Sequence, residues 1–401
     1  MKGTLPRSGR HQRTIRMTPA FAALLLLPLA ATRPAQAQTY SVLYNFQGGE
    51  VGGYPAYGAL VRDKAGNFYG TTSSGGSSNC GTVFKFVPGT GTESVLHSFT
   101  CQSDGGYPYA GLVLSGNMLY GTTAAGGSGT CFGSSGCGVV FALNINLKII
   151  TGYHDFLGSS DGAVPYAGLV QDKSGNLYGT TNLGGANNKG TVFKVVPQTM
   201  KVTVLHSFTG SDGAYPYSGL TLNSTGTTLY GVTYQGGSNS NGVVFSLPTK
   251  GGPYSTLYKF TGSIDGANPL GTIALDPAGN LYGTTAYGGS GYGVVFEVVP
   301  ASGTESVLYA FLGGTDGANP SSGVARDSSG NLYGTTYSGG ASSSGTVFKV
   351  SGTTETVLHS FDSSDGANPL CGVLLDSKGD VFGTAEMGGS IGYGVVWKIR
   401  P

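Results

Sequence analysis

Charged residues are scarce in this chain. Asp, Glu, Lys and Arg make up 10% of its 401 residues, and the formal net charge is +1. The first 37 residues hold six bases and no acid, which leaves 15 bases against 20 acids, or about −5, in the remainder. Binding to nucleic acid or to an anionic membrane surface requires a basic patch. The charge balance therefore argues against both kinds of partner.

Histidine and tryptophan are also rare, with five and one copies. Apart from His11, every histidine occupies one repeated position, two residues before a Phe. The histidines at this position are His97, His154, His206 and His359, and Tyr44, Tyr258 and Tyr309 fill it in the other repeats. Histidines on separate repeats cannot converge on one zinc ion or one catalytic triad, and no His-Glu-x-x-His or Cys-x-x-Cys motif occurs. We therefore predict no metal centre and no histidine-based catalysis.

Only one long apolar run exists, from Pro19 to Ala31, behind a basic leader and ahead of Ala35-Gln36-Ala37. This order is typical of a signal peptide, and the run is short for a membrane helix. We predict a signal peptide over 1–37 with cleavage after Ala37, and a secreted or periplasmic mature protein. We expect no membrane insertion and no C-terminal anchor.

Glycine is abundant, with 72 copies, and many belong to a phrase that reads Gly-Asn-Leu-Tyr-Gly-Thr-Thr. Its copies are 49 to 58 residues apart, a period typical of propellers. The aromatic residue of the phrase falls at Tyr69, Tyr120, Tyr178, Tyr230, Tyr282, Tyr333 and Phe382.

Each repeat contains four strand-like runs, which we name A to D. In one repeat they are 168–172 (A), 176–181 (B), 190–195 (C) and 203–208 (D). An Asp-x-x-Gly-Asn hairpin signal joins A to B, and a Gly-rich loop joins B to C. Four short antiparallel strands per repeat are typical of a propeller blade.

The two ends of the repeat array are complementary. The mature chain begins with a lone D strand, 40–46, and ends with a C strand, 394–399. Pairing them would remove two exposed sheet edges. We predict an all-β fold in which 38–401 form a single seven-bladed β-propeller of four-stranded blades, the last blade closed by the N-terminal strand.

The copies of Tyr-Gly-Thr-Thr, Gly-Thr-Val-Phe-Lys, Leu-His-Ser-Phe and Asp-Gly-Ala-x-Pro carry a resemblance. Together they resemble the GloVer tandem repeat of bacterial exported, choice-of-anchor proteins. The resemblance covers 40–401 and implies an exported, propeller-like protein. It implies no catalytic residue.

Six aspartates begin the Asp-Gly turns of the D-to-A connection, which we call the crossing. They are Asp104, Asp161, Asp212, Asp265, Asp316 and Asp365. One interpretation is that each caps the backbone of its own turn. The other is a ring of carboxylates at the channel mouth that binds a cation, with calcium as the candidate cofactor.

One position of the crossing varies between the repeats. If it faces the channel mouth, aromatic rings and amides would suit a carbohydrate, with Asp365 and the off-pattern Glu386 as polar partners. The candidate ligand residues at this position are Tyr54, Tyr107, Tyr215, Asn268, Asn319 and Asn368, and Val164 stands there in the third repeat. Tyr234, Tyr287 and Tyr337 in B-to-C loops fall on the same face.

The cysteines suggest disulfides. Cys131 and Cys137 flank an insert in the second B-to-C loop, and Cys80 and Cys101 lie in adjacent loops of the first repeat. We predict both pairs, in keeping with an oxidising compartment. Cys371 is left unpaired.

Three functions fit the sequence. The first is a non-catalytic, monomeric propeller that binds a glycan or a surface protein at its loop face. The second is an extracellular polysaccharide lyase or hydrolase, which would need acids that the repeats do not supply in pairs. The third is a structural envelope protein.

Overall fold

A computed structural model describes residues 1–4, 38–55, 57–131 and 136–400. Gln38–Pro401 form a compact unit of their own, and the description below concerns that unit. The predicted signal peptide lies outside the described residues apart from its first four. Cleavage after Ala37 stays a prediction.

The unit is a seven-bladed all-β propeller, and each blade is an antiparallel sheet in the order A-B-C-D. The first three blades follow one another along the chain. Blade 1 contains β2 (Val61–Arg62), β3 (Phe68–Thr72), β4 (Thr82–Val87) and β5 (Thr92–Ser98). Blade 2 contains β6 (Val113–Ser115), β7 (Met118–Thr123), β8 (Val139–Asn144) and β9 (Ile149–Asp155). Blade 3 contains β10 (Val170–Gln171), β11 (Leu177–Thr181), β12 (Thr191–Val196) and β13 (Lys201–Ser207).

The remaining blades repeat this plan with one addition, a short extra strand, β18, in the crossing of blade 5. Blade 4 contains β14 (Thr221–Leu222), β15 (Thr228–Thr233), β16 (Val243–Pro248) and β17 (Ser255–Lys259). Blade 5 contains β18 (Ala267–Pro269), β19 (Ala274–Leu275), β20 (Leu281–Tyr287), β21 (Val294–Val299) and β22 (Thr304–Ala310). Blade 6 contains β23 (Ala325–Arg326), β24 (Leu332–Thr336), β25 (Thr346–Ser351) and β26 (Thr354–Ser360). One short 3-10 helix, Gly49–Val51, precedes blade 1.

Blade 7 confirms the predicted closure by the N-terminal strand. It contains β27 (Leu374–Leu375), β28 (Val381–Ala385) and β29 (Val395–Arg400), and β1 (Thr39–Asn45) completes it. Strand β1 pairs antiparallel with β29, with Val42 opposite Trp397. The Tyr40 hydroxyl also donates a hydrogen bond to the Asp365 carbonyl at 2.7 Å. The ring is thus closed by main-chain pairing of the two ends, which leaves no free sheet edge at the junction.

The repeated phrase is structural in each of its positions. The Asp63 carboxylate accepts hydrogen bonds from the Asn67 N–H at 2.8 Å and the Tyr69 hydroxyl at 3.0 Å, which holds the A-to-B hairpin. A Cβ on the following Gly70 would lie 2.7 Å from the Phe84 ring, so only glycine fits under that ring. The same aspartate, asparagine and tyrosine contacts recur at the hairpins that start at Asp172, Asp276 and Asp327.

In five of the seven blades the first threonine of the phrase ties the blade to the next, whereas in blade 7 Thr384 donates to Cys371 Sγ of its own crossing at 3.0 Å. The Thr71 hydroxyl donates to the Ala110 carbonyl in the crossing of blade 2 at 2.8 Å. Blade 4 has Val232 at this position and lacks the bond. The equivalent threonines are Thr122, Thr180, Thr284 and Thr335, and each donates to a crossing carbonyl of the following blade.

The hydrophobic core lies between neighbouring blades. The phenylalanine after each D strand meets an aromatic ring on the C strand of the next blade, at centroid distances of 5.1 to 6.0 Å. In blade 7 that ring is Trp397, which is fully buried against Phe361. Trp397 is therefore a core residue, as the sequence predicts, and stabilises the ring closure by burial of apolar surface.

The repeated His or Tyr position also has a structural role, at the outer edge of each blade. His97 Nε2 lies 3.0 Å from Asp104 Oδ2, and the Tyr258 hydroxyl donates to Asp265 Oδ2 at 2.9 Å. In blades 1 to 6 the ring thus links its D strand to the Asp-Gly turn that follows, whereas in blade 7 the Tyr44 hydroxyl donates to Glu93 at 3.5 Å. The same pairs are His154 with Asp161, His206 with Asp212, Tyr309 with Asp316 and His359 with Asp365.

Each of these rings has a neighbouring side chain on the D strand of the next blade. The type of that neighbour depends on whether the ring belongs to Tyr or to His. After Tyr44, Tyr258 and Tyr309 it is a glutamate, namely Glu93, Glu305 and Glu355. After His206 and His359 it is a tyrosine whose ring stacks on the imidazole, at 4.1 and 3.7 Å between centroids. After His97 and His154 it is the apolar Ile150 and Val202.

These three glutamates are partly buried between outer strands. Burial, the largest cause, raises the pKa of each carboxyl to about 7. One carboxylate oxygen of each is buried without a hydrogen-bond partner among the described residues. The outer edge of the ring therefore holds three acids that favour the neutral form.

Candidate functional site

The Asp-Gly carboxylates cap their own turns. The Asp161 carboxylate accepts a hydrogen bond from the Leu157 N–H at 2.9 Å, besides its contact with His154. Asp365 accepts from the Asp362 N–H and pairs with His359. Among the described residues no group of three or more His, Cys, Asp or Glu side chains is placed to hold a metal ion. Of the two interpretations of these aspartates, the capping one describes the structure, and the structure lends no support to a calcium ring.

The residue at the varying position of the crossing has a structural role. Its backbone is left-handed, and where it is Asn its side chain binds the preceding blade. The residue has a φ of 53° to 58° in every blade, the left-handed region that asparagine tolerates best among residues with a side chain. The Asn268 amide group donates a hydrogen bond to the Tyr234 carbonyl of the preceding blade at 2.9 Å. The amides of Asn319 and Asn368 do the same to Ala286 and Tyr337. These three asparagines are engaged with neighbouring loops rather than grouped as a set of free amides.

The three tyrosines at this position have different surroundings. The Tyr54 ring meets Tyr393 edge-on at 5.6 Å, and the Tyr215 hydroxyl accepts a hydrogen bond from Lys189 Nζ at 2.6 Å. Tyr107 is 39% exposed and lines a cavity of about 280 Å³ between blades 2 and 3. Tyr107 is therefore the one with a ring open to a ligand.

A larger cavity, of about 300 Å³, lies where the crossings of all seven blades meet. Its wall is formed by small residues packed backbone to backbone. A Cβ on Gly58 would lie 2.0 Å from the Gly111 nitrogen, and one on Gly271 would lie 1.9 Å from the Gly323 nitrogen. Glycine at these positions allows the crossings to approach the axis of the ring. Among the described residues, no charged side chain lines either cavity.

An arc of five tyrosines lies on the face that carries the B-to-C loops, and three of them, Tyr57, Tyr166 and Tyr217, line this central cavity. Its first four members follow the crossing proline in blades 1 to 4, and the last comes from the B-to-C loop of blade 4. Successive centroids are 5.9, 5.5, 5.2 and 5.3 Å apart. The arc consists of Tyr57, Tyr109, Tyr166, Tyr217 and Tyr234.

In blades 5 to 7 the position after the crossing proline holds no aromatic residue. In blades 5 to 7 the equivalent residues are Leu270, Ser321 and Leu370. Tyr57 and Tyr217 are 46% and 37% exposed, and Tyr109 and Tyr166 are half-buried. The cavity is thus asymmetric, with accessible aromatic surface on one side.

The main chain of Glu386, in the B-to-C loop of blade 7, lies near Pro55 at the start of blade 1. Its carbonyl and Pro55 both crowd the site where a Cβ on Gly394 would be, at 2.6 and 2.7 Å. Burial, and after it the Glu386 carboxylate, raise the pKa of Tyr57 to about 12. Burial, Tyr107 and Glu386 raise the pKa of Tyr109. Burial also raises the pKa of Glu386 itself. Of the predicted ligand residues, Tyr107 lines a cavity together with the arc members Tyr109 and Tyr166, and Glu386 contributes to the raised pKa of Tyr57 and Tyr109.

The two predicted disulfides are present, Cys80–Cys101 and Cys131–Cys137, with Cα atoms 5.5 and 5.1 Å apart. The first ties the B-to-C loop of blade 1 to the crossing, and the second closes the insert of blade 2, of which residues 132–135 are not described. Cys371 is a buried free thiol. Two disulfides indicate an extracellular or periplasmic protein.

Sequence reasoning missed the first four tyrosines of the arc because it considered the residue before the crossing proline. The residue after it shows the same division of the ring, aromatic in blades 1 to 4 only. Blade 1 has one extra residue, Ala56, between Pro55 and Tyr57, which hides the match. Aligning the repeats on Leu60, Leu112, Leu169 and Leu220 would have recovered it.

Comparison with known proteins supports the architecture. The model of the Gloeobacter/Verrucomicrobia repeat matches residues 32–228 and 222–397. No curated protein matches the chain. In the described residues no helix is long and apolar enough to cross a membrane.

Three solved structures illustrate the fold. A chain of the mitotic checkpoint complex is 11% identical over 99% of both chains, with a TM-score of 0.56. A chain of Kuenenia stuttgartiensis hydrazine synthase is 15% identical over 85% of this chain and 96% of that one, with a TM-score of 0.56. A putative 6-phosphogluconolactonase from Bacteroides uniformis is 18% identical over 76% of this chain and 84% of that one, with a TM-score of 0.50. At these identities the likeness concerns the fold alone.

Proposed function

The chain belongs to the family of the Gloeobacter/Verrucomicrobia repeat, and from this premise we propose that it is an exported propeller that binds a glycan at its loop face without catalysis. The observation that carries the proposal is the tyrosine arc. Its five rings are in contact from one end to the other, and three of them, Tyr57, Tyr166 and Tyr217, line a cavity whose described lining carries no charge.

The chemistry of this surface suits a carbohydrate. Tyrosine presents a rigid apolar face together with a polar hydroxyl, which is what the two sides of a pyranose ring require. Carbonyl groups and the serine and threonine hydroxyls of the crossings add polar groups deeper in the cavity. A surface of tyrosines without described basic groups in the adjoining cavities offers little to a nucleic acid.

The non-catalytic part of the proposal follows from the acids and histidines. Each described histidine pairs with an aspartate, and the four pairs lie in separate blades. No described histidine is therefore combined with a second catalytic group at the channel mouth. Glycoside hydrolysis needs two carboxyls across the bond to be cleaved. No described contact joins Glu386 to Asp365, which is engaged with His359. Export through cleavage after Ala37, and a monomeric state, are further parts of the proposal.

The test is binding of a panel of neutral oligosaccharides to the mature protein by calorimetry. We expect the double variant Y109A/Y217A to weaken the best ligand by about tenfold or more, since buried aromatic contacts dominate such surfaces. The matched control is Y292A, which removes an exposed tyrosine of blade 5 outside the arc. Equal affinity for the arc variant and the wild type would refute the site. Release of new reducing ends or unsaturated products would refute the non-catalytic part.

A further inference from the structure

We infer that the central cavity receives the terminal sugar of a glycan, so that the protein recognises chain ends rather than chain interiors. The inference rests on the proposed function and specifies which part of the glycan is bound. Its basis is one set of residues, which we call the axial ring, because each blade contributes one and all line the cavity. Each lies directly before the aliphatic residue that leads into strand A. The axial ring consists of Ala59, Gly111, Gly168, Gly219, Thr272, Gly323 and Gly372.

The main chain of the axial ring faces the cavity. Its seven residues are partly or fully exposed, whereas six of the seven aliphatic residues that follow them are buried. Five of the seven are glycine, so the exposed surface is mostly main chain. Among the described residues, the one hydrogen bond to a main-chain group of this ring runs from the Ser322 hydroxyl to the Gly323 carbonyl, at 3.3 Å.

The protein therefore leaves amide donors and carbonyl acceptors of the axial ring available to a ligand. A sugar hydroxyl both donates and accepts hydrogen bonds, and so it matches this mixture of groups. The hydroxyl of Thr272, which is exposed and has no hydrogen bond to another described residue, adds one further polar group to the wall.

The size and rigidity of the cavity limit what can enter. Its volume of about 300 Å³ is at the lower end of the range for small-molecule sites, about 300–1,000 Å³. The crossings are in backbone contact, since a Cβ on Gly323 would lie 2.0 Å from the Thr272 carbonyl oxygen, and close packing of this kind resists widening. The interior of a chain would have to enter and leave through one opening within this space. A terminal residue enters by itself.

The tyrosine arc provides for the rest of the chain. Tyr57, Tyr166 and Tyr217 line the same cavity as the axial ring. Tyr109, whose ring centroid is 5.5 Å from that of Tyr166, lines the cavity between blades 2 and 3 instead. The arc thus leads away from the central cavity. A chain whose end is held inside can continue over rings that stack on its following residues.

The experiment counts binding sites on chains of different length. Linear neutral polysaccharides, namely pullulan, mixed-linkage β-glucan, xylan and galactan, are offered to the mature protein intact and after partial acid hydrolysis, at equal mass. Calorimetry gives the amount of protein bound per milligram of glycan. We expect this amount to rise on hydrolysis by the same factor as the number of chain ends. Borohydride reduction of the hydrolysed chains then assigns the end: lost binding assigns the reducing end, and kept binding the non-reducing end.

A variant that fills the cavity tests where the end is bound. Within 4 Å a Cβ on Gly372 would meet only the Ala59 Cβ, at 3.7 Å, so a longer side chain there extends into the cavity. We expect Gly372→Leu to weaken binding of the hydrolysed chains by about tenfold or more. The matched control is Gly89→Leu, which adds the same side chain in the turn between β4 and β5, where a Cβ would meet nothing within 4 Å. Thermal unfolding checks that both variants are folded, and Gly372→Ala, with a smaller loss expected, replaces the leucine variant if that one is not.

The outcomes distinguish the two proposals. If hydrolysis leaves the protein bound per milligram unchanged, or if Gly372→Leu binds like the wild type, chain-end recognition in the cavity is wrong and glycan binding stands. If no polysaccharide binds in either form, or Y109A/Y217A binds as tightly as the wild type, both proposals are wrong. Loss of chain-end binding in a folded Gly372→Leu, with binding kept in Gly89→Leu, supports the central cavity as the site.

Discussion

The three glutamates between the outer strands make the stability of the propeller depend on pH. We consider the triple variant in which Glu93, Glu305 and Glu355 are changed to glutamine, which keeps size and hydrogen-bonding capacity but removes the titration. In the folded wild type each carboxyl has a pKa raised from 4.5 to about 7, chiefly by burial. A raised pKa means that folding favours the protonated form.

The direction in which pH changes the free energy of unfolding follows from the linkage between proton binding and folding. Below pH 4.5 the three carboxyls are neutral in both folded and unfolded chains, and the wild type keeps its full stability. As the pH rises from 4.5 through about 7, the unfolded chain ionises first, so the free energy of unfolding of the wild type falls relative to that of the glutamine variant.

The solvent exposure of the three carboxyls limits how much each pKa shift changes the free energy of unfolding. A pKa rise from 4.5 to about 7 corresponds to about 3 kcal/mol for a fully buried group. These carboxyls are only partly buried, so solvent screens them, and we expect about 1 kcal/mol each. The three together amount to roughly 3 kcal/mol, or about 4 °C in Tm for a chain of this size.

The assay is thermal unfolding of wild type and triple variant from pH 4 to pH 8.5. We expect the difference in Tm between them to grow by about 4 °C across this range in favour of the variant. Other titrating groups, including His206 and His359 whose pKa burial lowers, are common to both proteins and cancel. Glu50→Gln serves as the exposed control. Parallel pH profiles for wild type and triple variant would refute the reasoning.

Three further predictions concern the scaffold. G179A should lower the free energy of unfolding by about 1–3 kcal/mol, because its Cβ would lie 2.7 Å from the Phe193 ring. The control G89A, with open space around the new Cβ, should leave it unchanged. Chemical denaturation measures both variants. Loss of the Cys80–Cys101 disulfide, which spans 21 residues, should cost about 3 kcal/mol, and an unchanged Tm in reductant would contradict this. Deleting β1 should lower solubility, because it exposes the β29 edge; a soluble monomer of unchanged Tm would argue against closure by this strand.

Much of the architecture could be predicted from the residues. The period of the Tyr-Gly-Thr-Thr phrase, the Asp-x-x-Gly-Asn hairpins and the incomplete repeats at the two ends suffice for seven blades and their closure, because each depends on local chemistry repeated in register. The same holds for the histidines and Trp397, whose repeated positions predict a structural role that the contacts with Asp104 and Phe361 confirm.

The candidate site was less predictable. The side chains of Asn268, Asn319 and Asn368 fall in the expected loops, yet they bind carbonyls of neighbouring blades, and Asp365 binds its own turn. A position whose residue type varies between repeats indicates that its surroundings differ from blade to blade. It does not tell which neighbour the side chain meets, because that neighbour belongs to another blade.

The sequence by itself determined the all-β class, the number of blades, the closure and the disulfide pairs, since these follow from spacing along the chain and from the chemistry of turns. Only the tertiary structure decided that Tyr57, Tyr109, Tyr166 and Tyr217 form one continuous arc. These residues are some fifty positions or more apart along the chain. They meet because small crossing residues such as Gly58 and Gly111 let seven backbones converge on the axis of the ring.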